Sequence, residues 1–128
     1  MNTTKKPVRY TSKQQIFYKV WKYFITEKNP QSINSVTDAC RYLHKGQSCA
    51  IGCLIEDDDT RRHFDRQNKT LIENIRLNFP EKLSLYIHPN IPTSFLSKLQ
   101  TIHDSHFSEF ESKMRNLAQE YNLKIPKN

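Results

Sequence analysis

Three cysteines and one histidine lie within fourteen consecutive residues, in the pattern Cys40-x3-His44-x4-Cys49-x3-Cys53. Thiolate and imidazole are the ligands that zinc prefers. Zinc knuckles present two ligands on a tight C-x2-C turn, however, and none of these spacings matches that turn. Small cysteines are also common in hydrophobic cores. The pattern therefore favours core cysteines, with a metal site and a nucleophilic thiol as alternatives, and we predict neither a metal nor another cofactor.

His103 and Asp104 form an adjacent pair that can bind metal. Metallo-phosphohydrolases of the HD type use such a pair, but they need further His and Asp ligands at long spacing, and none can be assigned here. Aspartate at a helix end also caps the helix that follows. The favoured interpretation is that the His103–Asp104 pair serves in helix capping and packing. Ligand recognition and metal-dependent hydrolysis stay as alternatives, and no catalytic residue is predicted.

The acidic run at residues 56–59 precedes Arg61 and Arg62. Paired carboxylates can bind a divalent ion, but the run lacks the alternating pattern of a calcium loop. Carboxylates are also favoured in the first turn of a helix. We therefore predict a solvated helix start near Asp57 with local ion pairs.

Positive charge is concentrated at the start of the chain. Of the 20 Lys and Arg that give 128 residues a net charge of +7, seven lie in the first 28 residues, where Glu27 is the only acid. Aromatic residues alternate with these cations, and such a surface suits phosphates with stacked bases or an acidic protein. The predicted binding residues are Lys13, Lys19, Trp21, Lys22, Arg41, His103 and Asp104.

Hydrophobic spacing indicates the elements that carry these residues. Ser12 and Gln15 form a capping box that begins a helix, which ends before Pro30. Residues 39–43 and 48–51 flank a turn that contains Gly46, and they predict a β-hairpin. A further helix is expected between Thr70 and Pro80, an edge segment or loop over 81–92, and two helices that meet near residues 104–108.

The sequence therefore predicts an α+β fold: a mostly helical single domain, residues 12–128, with one β-hairpin packed on the N- and C-terminal helices. Residues 1–11 are expected to form a flexible basic arm. No apolar run approaches the roughly 18 residues of a membrane span, and residues 1–10 lack the apolar stretch of a signal peptide. We expect a cytoplasmic protein without a membrane partner.

Two segments resemble a group of small, mostly uncharacterised phage and prophage proteins. One runs from Cys40-Arg41-Tyr42 through Gly46 to Cys49-Ala50-Ile51-Gly52-Cys53-Leu54-Ile55, and the other is Leu99-Gln100-x-x-His103-Asp104. The resemblance covers residues 39–123. It implies a compact α+β domain and a virus-encoded accessory role in the host cytoplasm, but no reaction. Residues 56–59 stand where the family pattern has proline.

Three classes of function follow. The favoured one is a non-enzymatic binding protein, phage-encoded, that inhibits a host defence complex, as an anti-CRISPR or another anti-defence protein; its partner is a host protein or ribonucleoprotein. The first alternative is a nucleotide or nucleic-acid binder, including a sponge for a signalling nucleotide. The second is a metal-dependent hydrolase built on His103 and Asp104.

Overall fold

Helices make up most of the described part of this computed structural model. It describes residues 8–29, 33–34, 39–40, 49–65, 72–104 and 107–126, with backbone only at 33–34, 39–40, 104 and 107. The α-helices are α1 (Lys13–Trp21), α2 (Asp58–Asp65), α3 (Ile72–Asn78), α4 (Pro80–Ser84), α5 (Thr93–Asp104) and α6 (Phe110–Tyr121). Short 3-10 segments are Gly52–Leu54 and Phe107–Glu109.

Helix α1 begins as its sequence predicts. The Ser12 hydroxyl accepts from the N–H of Gln15 at 3.1 Å, and the Gln15 side chain accepts from the N–H of Ser12 at 3.2 Å, so the capping box is confirmed. After Trp21 the helix widens into a π-helical turn, Lys22–Thr26. In that turn the N–H of Glu27 donates to the C=O of Lys22 at 2.8 Å.

The predicted α+β class is wrong, because the described residues are mostly helical and show none of the pairing predicted between residues 39–43 and 48–51. Within the described residues, the only paired strands are two-residue segments, β1 (Ile33–Asn34) and β2 (Ala39–Cys40), which are antiparallel with Ile33 opposite Cys40. Strands of a stable sheet are usually 3–10 residues long. Residues 48–51 are the predicted second strand, but the described residues among them, 49–51, form a turn that leads into the 3-10 helix Gly52–Leu54. Residues 41–48, including the predicted turn, lie outside the described part.

Residues 81–92, predicted as an edge segment or loop, instead begin with helix α4. Pro80 is the first residue of this helix, a position that proline suits because the N–H it lacks would be unpaired there. Beyond α4 the chain turns, and Ile87 forms one parallel bridge with Tyr10. Only this single bridge is strand-like within 81–92.

The two predicted C-terminal helices are confirmed as α5 and α6, which pack on each other. Helix α6 ends at Asn122, whose φ of 57° is left-handed, and the N–H of Leu123 donates back to Ala118 at 2.8 Å. Beyond that cap, the Gln14 side-chain amide bonds both backbone groups of Lys124. It donates to the C=O at 2.9 Å and accepts from the N–H at 2.8 Å.

The core lies between α1, the 3-10 segment Gly52–Leu54 and the pair α5–α6. The apolar face of α1 is buried there (Ile16, Phe17, Val20 and Trp21), and α1 packs directly on the 3-10 segment. The largest fully buried side chains of the core include Trp21, Phe17, Phe64 and Phe95. Among the described helices, none is long and apolar enough to cross a membrane.

Candidate binding groove

A groove of about 450 Å³ lies between residues 8–10 and one face of α1. That volume falls within the range of small-ligand sites. From α1 and the π-helical turn that continues it, the groove is lined by Gln14, Gln15, Tyr18, Lys19 and Lys22. The last four of these residues follow the i, i+3, i+4, i+7 spacing of a single helix face. The opposite face of α1 is buried, so packing of the core directs this face outward.

The other wall of the groove is an extended segment centred on Tyr10. The N–H of Tyr10 donates to the C=O of Tyr86 at 2.7 Å, and the C=O of Tyr10 accepts from the N–H of His88 at 2.9 Å. These two bonds form the parallel bridge to Ile87. The wall is therefore held by the chain that follows α4.

Val8 and Arg9 attach the same wall at two further points. The N–H of Val8 donates to a Glu56 carboxylate oxygen at 2.5 Å, and Nε of Arg9 donates to the C=O of Ser84 at 2.8 Å. Residues 8–10 of the predicted flexible arm are thus hydrogen-bonded to the body of the protein. Residues 1–7 of that arm lie outside the described part.

The groove combines positive charge with exposed apolar surface. Lys19 and Lys22 stand one turn apart, and no acidic residue occurs between Lys13 and Thr26. Beside them the Tyr18 side chain is 53% exposed and Val8 is 46% exposed. Exposed aromatic and aliphatic side chains next to cations are typical of recognition surfaces for anionic partners.

Two groups near the groove have raised pKa values. Burial raises the pKa of Tyr10 to about 12, and the neighbouring Cys53 and Glu56 add to the effect. Burial also raises the pKa of the Cys53 thiol, Cys49 adds to it, and Lys19 and Arg61 oppose it. A protonated thiol is neither a metal ligand nor a nucleophile. Cys53 therefore brings no nucleophile to the groove.

Cys49 and Cys53 behave as core residues. Both are buried free thiols; Cys49 Sγ accepts from the N–H of Gly52 at 3.2 Å, and Cys53 Sγ donates to the C=O of Ala50 at 3.2 Å. The favoured core interpretation is confirmed for these two. The side chains of Cys40 and His44 lie outside the described part.

The shift of Tyr10 predicts a loss of stability at high pH. Its pKa is 10.0 ordinarily and about 12 in the folded chain, so above pH 10 the unfolded state releases a proton that the folded state keeps. The contribution of Tyr10 to the free energy of unfolding is complete below pH 10 and is lost as pH rises through about 12. Urea unfolding across this range should show a steeper decline for the natural chain than for Tyr10→Phe. Parallel declines would contradict the assignment.

The structure brings together some of the predicted binding residues and separates others. Lys19 and Lys22 line the groove, whereas Lys13 is half-buried on α1 outside the groove lining. Trp21 is 0% exposed in the core, so it is not part of this surface. Arg41 lies outside the described residues.

The His103–Asp104 pair lies at the end of α5, away from the groove lining. His103 is 0% exposed, and its ring centroid is 5.2 Å from that of Phe24. Within the described ranges no group of three His, Cys, Asp or Glu could hold a metal ion. His103 is therefore placed as a packed core residue, which is the favoured interpretation of the sequence.

The acidic run begins α2 as predicted. The Asp57 carboxylate accepts from the N–H of Thr60 at 3.0 Å and from its hydroxyl at 2.6 Å, and the hydroxyl bond lowers the pKa of Asp57. Asp58 and Asp59 pair with the arginines three residues later, at 3.6 Å and 3.1 Å. The predicted helix start with local ion pairs is confirmed.

Of the nine residues that line the groove, seven are not among the predicted binding residues, including Val8, Arg9 and Tyr10 of the wall. One signal was present for the wall: a β-prone Val-Arg-Tyr segment ends two residues before the Ser12 cap. Comparison of the chain with protein-family models, with curated proteins and with solved structures finds no match.

Proposed function

We propose that this chain is a small non-enzymatic binding protein that engages an anionic partner through the groove. One observation carries the proposal: Lys19 and Lys22 face the same 450 Å³ groove as the exposed side chains of Tyr18 and Val8. The cations supply attraction and rapid association, and the exposed apolar groups supply contact area.

The chemistry of the groove favours binding over catalysis. A general base must be deprotonated near its working pH, and a nucleophile needs a lowered pKa. Tyr10 in the wall and Cys53 beside it both have raised pKa values. The described groove residues thus offer charge and contact surface without an activated group.

An acidic protein surface is the partner that we favour. Three cations, Arg9, Lys19 and Lys22, line the groove among neutral and apolar residues, whereas many duplex-binding proteins make six to ten phosphate contacts. The resemblance to phage proteins adds the finer proposal of an inhibitor that occupies a host defence complex.

A nucleotide or a single-stranded nucleic acid is the second candidate. It is favoured by the exposed ring of Tyr18 between Gln15 and Lys22 on the groove face. Such a ring can stack on a base while a lysine contacts the adjoining phosphate.

Affinity capture tests the proposal. The tagged protein, the groove variant Lys19→Glu/Lys22→Glu and the matched variant Lys82→Glu/Lys113→Glu, which changes charge equally away from the groove, are applied to extract of the native host. We expect one partner to be captured in near-equal amounts by the natural chain and the matched variant, and at least tenfold less by the groove variant, because like charges repel across an interface.

Nuclease treatment of the extract separates the two candidates. Capture that survives the treatment supports a protein partner, and capture that disappears supports a nucleic acid. Equal capture by both variants would show that the groove does not bind the partner.

A further inference from the structure

We infer that the groove takes an extended acidic peptide segment, which adds as a strand beside residues 8–10. The inference rests on the proposed function, because it concerns the same groove, and it specifies the conformation and the chemistry of the bound partner.

The first argument is the open backbone edge at Arg9. Tyr10 directs both its N–H and its C=O to the side of Tyr86 and His88. In an extended segment, neighbouring residues direct their backbone groups to opposite sides. The N–H and C=O of Arg9 therefore face away from Tyr86 and His88, and no described residue bonds to either group. Unpaired strand edges of this kind accept an added strand.

The second argument is the arrangement of side chains across the groove. Lys19 on α1 and Lys22 at the start of the π-helical turn are three residues apart, a rise of about 4.5 Å. Alternate side chains of an extended peptide lie about 7 Å apart on one face, within the reach of two flexible lysines. Acidic residues at alternate positions of the peptide would meet these cations, on the same face of the peptide that would contact Tyr18.

The third argument separates a peptide from a nucleic acid. Arg9 presents one donor and one acceptor at the open edge. Phosphate oxygens only accept hydrogen bonds, so a phosphate backbone would leave the Arg9 carbonyl unpaired, whereas a peptide supplies both partners. Charge complementarity and backbone pairing together therefore select an acidic peptide.

Synthetic peptides test the inference on the complete protein. The probe is a capped ten-residue peptide of alternating Glu and Val, compared by calorimetry with its Lys-Val counterpart and with a ten-residue oligothymidylate. We expect the Glu-Val peptide to bind, with at least a tenfold loss in Lys19→Glu/Lys22→Glu and no loss in Lys82→Glu/Lys113→Glu. The Lys-Val peptide should not bind.

Methylated backbones test strand addition without altering the protein. Two further Glu-Val peptides carry N-methyl groups, one on every Glu amide and the other on every Val amide, so that each blocks one edge of the strand. We expect about a three- to tenfold loss for one of them only, because a lost hydrogen bond costs about that factor. Equal affinities for both would overturn strand addition.

A matched pair of protein variants also tests strand addition at Arg9. Arg9→Pro and Arg9→Ala both remove the side chain, but only proline removes the N–H. We expect Arg9→Pro to bind the Glu-Val peptide about three- to tenfold more weakly than Arg9→Ala.

These experiments distinguish failure of the proposed binding function from failure of the inference that an acidic peptide adds as a strand. If the Glu-Val peptide binds in a lysine-dependent way and N-methylation does not change its affinity, strand addition is wrong. The groove is then still a binding site. If oligothymidylate is the only probe that binds, and its binding depends on the lysines, the inference of an acidic peptide is wrong. The second candidate function is then supported. If no anionic probe binds, the proposed function fails and the inference fails with it.

Discussion

Replacement of Trp21 with alanine is expected to lower the free energy of unfolding by about 3–5 kcal/mol. The Trp21 side chain is 0% exposed, and its ring centroid lies 5.9 Å from that of Phe17. The guanidinium carbon of Arg115 lies 5.1 Å from the centroid of the Trp21 ring. The loss is large beside the 5–15 kcal/mol that stabilises typical domains. Urea unfolding followed by far-UV circular dichroism measures it, since Trp21 is the only tryptophan.

Tyr18→Ala is the matched control on the same helix. This ring is 53% exposed, so its removal should change the free energy of unfolding by less than about 0.5 kcal/mol. The same substitution should weaken binding at the groove, whereas Trp21 does not reach the groove. Similar losses of stability in the two variants would show that Trp21 is not a core residue.

Replacement of Arg76 with methionine is expected to cost about 2–4 kcal/mol of unfolding free energy. Nη1 of Arg76 donates to the C=O of Ile91 at 2.5 Å and to the hydroxyl of Thr93 at 3.0 Å, and Nη2 donates to the C=O of His88 at 3.0 Å. The charge of Arg76 is partly removed from water, and this burial lowers the pKa of Arg76. Each hydrogen bond to a charged group contributes about 1.5–3 kcal/mol, and methionine retains part of the packing.

The control for Arg76 is Arg62→Met. Arg62 is exposed and pairs with Asp59 at 3.1 Å, three residues earlier on α2. Such a pair contributes less than about 0.5 kcal/mol. Chemical denaturation of both variants should therefore separate them by more than 1.5 kcal/mol, and a smaller difference would mean that Arg76 does not hold the turn before α5.

Local spacing predicted α1, α2, α3, α5 and α6 because each carries its own signal, but it missed α4, whose residues were predicted as an edge segment or loop. Ser12 and Gln15 cap α1 within one turn, and the two C-terminal helices follow a continuous stripe of apolar residues. The prediction of a β-hairpin failed for a physical reason. Residues 49–55 are all buried, and a short apolar run without alternation fits a strand or a packed turn equally well. Packing against α1 decided in favour of the turn.

The groove was predictable only in part. Lys19 and Lys22 follow from charge and helical spacing. Burial of Trp21 does not follow from charge, because an aromatic residue among lysines suits a surface and a core alike. The wall at residues 8–10 depends on Tyr86 and His88, which lie more than seventy residues along the chain. No local pattern in the first ten residues contains that contact.

The clamp between Gln14 and Lys124 has a consequence for the topology of the chain. It joins residues 110 positions apart, so the polypeptide nearly closes into a ring. Closing so large a loop carries a high entropic cost, which rises with the logarithm of its length. We therefore expect the contact to form after α1 and α6 have docked on the core. Because Gln14 also lines the groove, the same clamp places the segment that follows α6 at one rim of the groove.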